Sequence, residues 1–254
     1  MPAIMIGLGS APGEVRHPVF ARAFDRLSQL MEREVGERRE ELLAGLRGQV
    51  IEIGAGNGIS FQHYPDTVEE VVALEPEPYL RGKAEDAARG APVKVSVHGG
   101  VAAPLPLNDG RFDAAIASLV LCTVPDPAGA LAELRRVLKP GAELRFMEHV
   151  RSQQPRKARL QDRLDRSGMW PLVAGGCHCA RSTVDATEAA GFLVERVRSF
   201  DLGPSWLPTN PHLLGLARSR TAADEGAVEA VKLDERSDQF PRPRRSLLPR
   251  PATG

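Results

Sequence analysis

A short apolar run, Val50-Ile51-Glu52-Ile53, leads into three glycines at alternate positions, Gly54, Gly56 and Gly58. A backbone that must turn sharply and lie against a ligand has no room for a Cβ, so residues of this type at this spacing suit a nucleotide cradle. Ile59 and Phe61 follow as the expected opening of a helix, whose free N–H groups favour a negatively charged ligand group. A second apolar strand, Val71-Val72-Ala73-Leu74, ends in Glu75, about twenty residues beyond the first glycine. A carboxylate there can accept hydrogen bonds from both hydroxyls of a ribose. A dinucleotide fingerprint would read G-x-G-x-x-G, but here the third glycine arrives one place early, which disfavours an NAD(P)-dependent oxidoreductase.

The other residues able to do chemistry are the thiols and histidines. Cys177-His178-Cys179 invites a metal reading, but a structural zinc site needs four ligands, usually from two separated pairs, and the sequence has no second pair. No metal is therefore expected, and the segment reads as a loop with small thiols. Cys122 falls in an apolar run and reads as an inert core residue. His149 closes another apolar run, Phe146-Met147-Glu148-His149.

The elements that must position these groups follow from periodicity. Residues 1–15 lack periodicity and are expected to be a flexible leader, whereas Phe20, Phe24, Leu27, Leu30 and Met31 recur at helical steps within 18–46. A helix over about 78–88, a third strand over 93–98 and a fourth, buried strand over 114–122 come next. A helix over 127–138 stops at Lys139-Pro140-Gly141, and 142–150 is the fifth strand. Residues 151–170 read as an amphipathic helix broken at Gly168, with a further helix over 183–190 ended by Gly191. Two last strands, 193–199 and 213–218, flank a proline-rich link, and the polar, arginine-rich stretch over 220–254 is expected to be a disordered tail. Strands alternating with helices predict a parallel sheet covered on both faces, with ligand at the carboxyl ends of the central strands.

Composition narrows the classes. The chain has 254 residues, and Lys+Arg equals Asp+Glu at 33 each, so no global field calls for nucleic acid or an anionic membrane. Aromatics at 5% weaken a base-stacking reading. No apolar run has the length of a membrane span, and the three cysteines are too few for a disulfide scaffold, so a cytoplasmic setting is expected.

The ordered set Ile51-Glu52-Ile53-Gly54-Ala55-Gly56-Asn57-Gly58, Leu74-Glu75-Pro76, Leu105-Pro106-Leu107-x-Asp109-Gly110-x-Phe112-Asp113 and Leu138-Lys139-Pro140-Gly141-Ala142 resembles the successive motifs of class I S-adenosyl-L-methionine (SAM)-dependent methyltransferases. The resemblance spans about residues 18–219 and implies one Rossmann-like α/β domain over 16–219. Its seven-stranded sheet would carry helices on both faces and an antiparallel last strand. Leu119-Val120-Leu121-Cys122-Thr123-Val124, Phe146-Met147-Glu148-His149-Val150, Gly176-Cys177, Ser205-Trp206 and Pro211-His212 resemble, more narrowly, the methyltransferase-like-seven group. Mammalian members of that group are alkyl-thiol S-methyltransferases with an amino-terminal membrane anchor, for which this chain shows no apolar stretch.

The resemblance implies a cofactor site. Gly54, Gly56 and Gly58 would lie against the methionine portion of SAM, and Glu75 would bind the ribose diol. Glu52 is open to two roles, in the shell around the cofactor or as a loop-organising carboxylate. Many family members read the adenine amine with an acid after the third strand; here Gly99-Gly100-Val101-Ala102-Ala103 has none, which leaves backbone groups of Val101 and Ala102. Ser118 and Leu119 would lie near the methionine end or serve as strand residues.

On the acceptor side, His149 is the candidate to take or steer a proton, or else a structural hydrogen-bonder. Phe20, Phe24, Trp170, His178 and Trp206 are candidates to line the pocket with it. The implied activity is methyl transfer to the thiol of a small lipophilic molecule, with S-adenosyl-L-homocysteine as product. Methylation at oxygen, nitrogen or carbon of a small metabolite, a quinone or a phospholipid headgroup is the alternative, as is a non-catalytic SAM-binding module.

Overall fold

The computed structural model describes residues 17–221, 223 and 224; the leader expected over 1–15 and nearly all of the tail expected over 220–254 lie outside the described residues. All the elements below lie within the first of two compact units, which ends at Ser219.

Seven strands form one sheet: β1 (Gly48–Ile53), β2 (Val68–Leu74), β3 (Lys94–His98), β4 (Phe112–Ser118), β5 (Leu138–His149), β6 (Phe192–Asp201) and β7 (Pro211–Ser219). Their order across the sheet is β3-β2-β1-β4-β5-β7-β6. The first five run parallel, and β7 is antiparallel to both β5 and β6. Strand order reverses between β1 and β4, so the crevice for a ligand lies at the carboxyl ends of that pair.

Alternate side chains of each central strand enter different cores. Ile51, Ile53, Ala115, Ala117, Leu144 and Phe146 pack with Leu131 and Leu134 of α3 (Pro127–Val137) and with residues of α6 (Thr183–Ala189). Val50, Val71, Ala73, Ile116 and Met147 pack on the other face with Leu42 and Leu43 of α1 (Pro18–Leu43) and Ala84 of α2 (Pro78–Ala88). Burial on both faces is why these strands read as near-continuous apolar runs.

Three elements differ from the sequence-based expectation. No α-helix opens after Gly58; a single 3-10 turn, Phe61–His63, stands there. Pro65 accounts for this, because it forces Tyr64 into extended backbone (φ −67°, ψ 131°) and leaves no room for a second helical turn. The fourth strand stops at Ser118 rather than running to Cys122, because Leu119 takes a left-handed backbone (φ 56°). The fifth strand begins at Leu138: Phe112 faces Leu138 while Ala114 faces Glu143, so Lys139-Pro140-Gly141 is a bulge inside the strand rather than a break before it.

Two short helices, α4 (Pro155–Arg166) and α5 (Met169–Val173), follow β5, separated at Gly168 (φ 71°) as the sequence predicts. Gln161 of α4 is fully buried. Its amide nitrogen donates to the carbonyls of Val150, Cys179 and Pro208, and its oxygen accepts from Ser152 N–H at 2.7 Å, which ties three loops at the carboxyl edge together.

In the β5–β7 ladder, Gly215 faces the fully buried Phe146, and a Cβ built on Gly215 would overlap that ring. Gly215→Ala is expected to cost about 1–3 kcal/mol by overpacking. Urea unfolding measures it, and an unchanged midpoint would contradict the packing described.

Candidate active site

The three glycines of the turn after β1 all have positive φ: Gly54 64°, Gly56 59° and Gly58 75°. A Cβ on Gly54 would overlap Val120, and one on Gly58 would sit 2.8 Å from the Phe61 ring and 2.9 Å from the Ala84 backbone. One on Gly56 would sit 3.3 Å from the Phe24 ring. Sterics and backbone conformation therefore both demand glycine at the first and third positions.

Glu75, 5% exposed just beyond β2, fixes this turn. One carboxylate oxygen accepts from Gly56 N–H at 2.7 Å and the other from Glu77 N–H at 2.9 Å. A carboxylate has about four lone-pair positions, so roughly two stay available to hydroxyl donors. Burial pushes its pKa up to about 7, against the effect of the two N–H donors. A cradle that a Cβ would fill, beside a buried acid with acceptor capacity left over, fits the SAM expected from the sequence.

Glu52 lies on the opposite face of β1 from Ile51 and Ile53 and is 1% exposed. Tyr64 donates its hydroxyl to it at 2.9 Å, and burial raises its pKa to about 7. Arg39 of α1 donates to Ser60 at 3.1 Å in the same buried network. Within the chain itself Glu52 therefore binds the loop after the glycines to β1.

Leu119 is the only non-glycine residue with positive φ among the described residues, a conformation costing roughly 1–2 kcal/mol. Glu148 offsets that cost. Its side chain is fully buried, and it accepts from the N–H groups of Val120 (3.0 Å), Leu121 (2.8 Å) and Cys122 (3.1 Å). Burial holds its carboxyl well above the usual range. Ser118 and Leu119 are half-buried at the carboxyl end of β4, beside the glycine turn through Val120. Val101 and Ala102 are half-buried in the loop after β3, whose first segment, residues 99–103, contains no acid.

The opposite wall is built by α1. Asp25, 6% exposed, accepts from Asn57 of the glycine turn (2.9 Å) and from the Tyr79 hydroxyl of α2 (3.1 Å). Phe24 meets Gly56, and Phe20, stacked on it at 6.0 Å, abuts Gly175. One helix face thus touches both the glycine turn and the loop that carries Cys177.

His149 ends β5 in register with His212 of β7, and the two rings meet edge-on at 4.5 Å. Its Nδ1 lies 3.5 Å from Cys122 Sγ and 3.3 Å from Cys177 Sγ. Burial draws its pKa down to about 3. Cys122 is therefore part of this cluster, in the turn after β4, and not a strand residue remote from the site. His178 is turned to Asp165 (3.7 Å), while its backbone N–H holds the Cys122 carbonyl at 2.8 Å. Trp170 of α5 is half-buried, and its Nε1–H meets no acceptor among the described residues. Trp206, expected to line the pocket, stands 75% exposed in the link before β7.

Sequence reasoning missed Glu148, Asp25 and Gln161. A signal for Glu148 existed, since it continues the alternation of Leu144 and Phe146 onto a core face, where an acid needs donors. Nothing in helical periodicity distinguished Asp25 from a solvated residue.

Comparison with known proteins supplies the family context. The family described as "Methyltransferase domain" matches residues 51–146. Thiol S-methyltransferase TMT1B of Rattus norvegicus is 32% identical over 173 residues, covering 66% of this chain and 69% of the relative. Its Homo sapiens counterpart is 33% identical over 181 residues, covering 69% and 73%. Among solved structures, a SAM-dependent methyltransferase of Thermotoga maritima matches with a TM-score of 0.58 at 22% identity, over 80% of this chain and 99% of that one. At that identity the likeness speaks to the fold.

The pH dependence of stability follows from Glu52. Its ordinary pKa is 4.5 and its folded value about 7, so between these the folded chain keeps a proton that the unfolded chain has lost. Its contribution to stability is full below the unfolded value and is lost as pH rises through about 7. Glu52→Gln, which keeps an acceptor for Tyr64, should remove up to about 1.4 kcal/mol per pH unit from the falling limb. Urea unfolding across that range tests this; an unchanged slope would mean that Glu52 is not a raised, buried acid.

Proposed function

The chain belongs to the class I SAM-dependent methyltransferases, in the family that contains the thiol S-methyltransferases, and from that premise we propose that it methylates the thiol of a small lipophilic molecule. The observation that carries this reading is the juxtaposition of the glycine turn with an apolar, thiol- and imidazole-bearing acceptor end. Val120 packs on Gly54, and Cys122 and His149 follow directly beyond it.

Bound SAM supplies a sulfonium-activated methyl group, so that the acceptor sulfur gains a C–S bond as the donor's breaks and S-adenosylhomocysteine leaves. The chain's own task is to bind, align and keep water away. In this reading Gly54, Gly56 and Gly58 pass the backbone close to the methionine portion, and Glu75 uses its remaining lone pairs on the ribose hydroxyls. Glu52 holds the turn from behind through Tyr64. Phe20, Phe24 and Trp170 offer the acceptor apolar surface, and His149 orients its sulfur. A thiol with pKa about 8.5 is already a few per cent thiolate at neutral pH, so no strong base is required.

The charge balance of 33 against 33 supports a small-molecule acceptor over nucleic acid. No helix among the described residues is long and apolar enough to cross a membrane. The three described cysteines are free and buried, which suits a reducing, cytoplasmic compartment.

Turnover of an alkyl thiol against its alcohol isostere, followed by S-adenosylhomocysteine release, tests the acceptor. A clear preference for sulfur is expected, and equal or greater turnover of an oxygen, nitrogen or carbon acceptor would overturn the reading. Glu75→Ala should weaken SAM binding by about 2–3 kcal/mol, the worth of one or two charge-assisted hydrogen bonds. Calorimetry showing unchanged affinity would remove Glu75 from the cofactor site.

A further inference from the structure

Three soft or borderline donors converge at the acceptor end from three separate segments: Cys122 in the turn after β4, His149 at the end of β5, and Cys177 in the loop after α5. Their ligand atoms all lie within 4.8 Å of one another. Zinc bonds of about 2.3 Å to sulfur and about 2.05 Å to nitrogen give a tetrahedral N···S edge of about 3.6 Å. The two N···S distances here, 3.5 and 3.3 Å, are close to that edge before any ion draws on them.

The rest of the loop sets this trio apart. Cys179, two residues from Cys177, faces away, its sulfur 3.3 Å from Asp165. Glu148 fixes the Cys122 backbone, and Arg181 holds the carbonyls of Leu121 and Val124, so the turn that presents Cys122 is rigid. A second unmatched polar group lies beside the trio. His212, 2% exposed and edge-on to His149, donates Nδ1–H to the Asn210 carbonyl at 2.9 Å, which leaves Nε2 as a buried acceptor with no partner among the described residues.

We propose that Cys122, His149 and Cys177 form a Cys2His site for a divalent, zinc-like cation whose fourth position receives the sulfur of the methyl acceptor. Thiolate and imidazole select this class of ion, and three protein ligands with an open fourth position are the pattern of a catalytic rather than a structural site. The fourth position rests on the thiol-acceptor reading above. On coordination the acceptor's S–H bond breaks, its proton passes to water, and the electron pair stays on sulfur as the nucleophile. His149 is then a ligand through Nδ1. The expectation of no metal was drawn from Cys177-His178-Cys179, whereas the two further donors lie 28 or more residues before Cys177 and only the fold joins them.

The test uses the full chain purified without chelators. Elemental analysis should find about one zinc per chain in the parent and in Cys179→Ser, and roughly tenfold or greater loss of zinc affinity in Cys122→Ser and Cys177→Ser. Retained SAM binding by calorimetry shows that the variants fold. The cobalt-substituted protein should show thiolate-to-metal charge-transfer absorption, and its visible bands should shift on adding an alkyl thiol but not the alcohol isostere. A folded, SAM-binding parent without zinc, a Cys122–Cys177 disulfide in its place, zinc retained by both serine variants, or cobalt bands indifferent to thiol would each overturn the proposal. Thiol turnover undiminished by chelation would sink the metal site and leave the proposed function standing. Zinc bound with shifting bands but no thiol methylated would do the reverse.

Discussion

Space for a side chain is what the turn after β1 lacks, and much of the site is arranged around that lack. Gly54 is closed off by Val120, and Gly58 by Phe61 and the backbone of α2. Backbone packed so closely against the turn after β4 and against α2 leaves its open side to a ligand, while the N–H groups of Ala55 and Gly58 go to the carbonyls of Leu74 and Ala55. Glu75 takes the N–H of Gly56, and α1 closes over the turn through Phe24 and the Asp25–Asn57 contact.

Buried carboxylates recur as the device that holds loops at the carboxyl edge of the sheet. Glu52 anchors Tyr64, Glu75 joins the glycine turn to the start of α2, and Glu148 gathers three successive N–H groups from the turn after β4. Each is desolvated, and burial raises its pKa. The energy spent on burying them is returned as fixed geometry: a ligand between β1 and β4 meets loops already set by hydrogen bonds. Gln161 does the same work with an uncharged side chain on the acceptor side.

Local signals carried much of this. The glycine spacing, the strand-end Glu75 and the alternation of apolar runs with helical patterns were enough to anticipate a doubly covered, mostly parallel sheet, while its antiparallel close was expected from the family resemblance. Boundaries failed where a single residue overrode the pattern. Pro65 cut short the helix after Gly58, and the left-handed Leu119 ended β4 early. The convergence of Cys122, His149 and Cys177 was not legible at all, because each residue sits in an unremarkable local context and the contact depends on strand register and a loop crossing. Trp206 has the type of a pocket wall, and the link that carries it leaves it largely exposed.

The most direct measurement of the central claim is a crystal structure of the chain with S-adenosylhomocysteine bound. The account predicts ribose hydroxyls on the free lone pairs of Glu75, the homocysteine portion along Gly54–Gly58, and its sulfur directed toward the Cys122–His149–Cys177 cluster. A nucleoside held elsewhere, or a sulfur pointing away from that cluster, would contradict it.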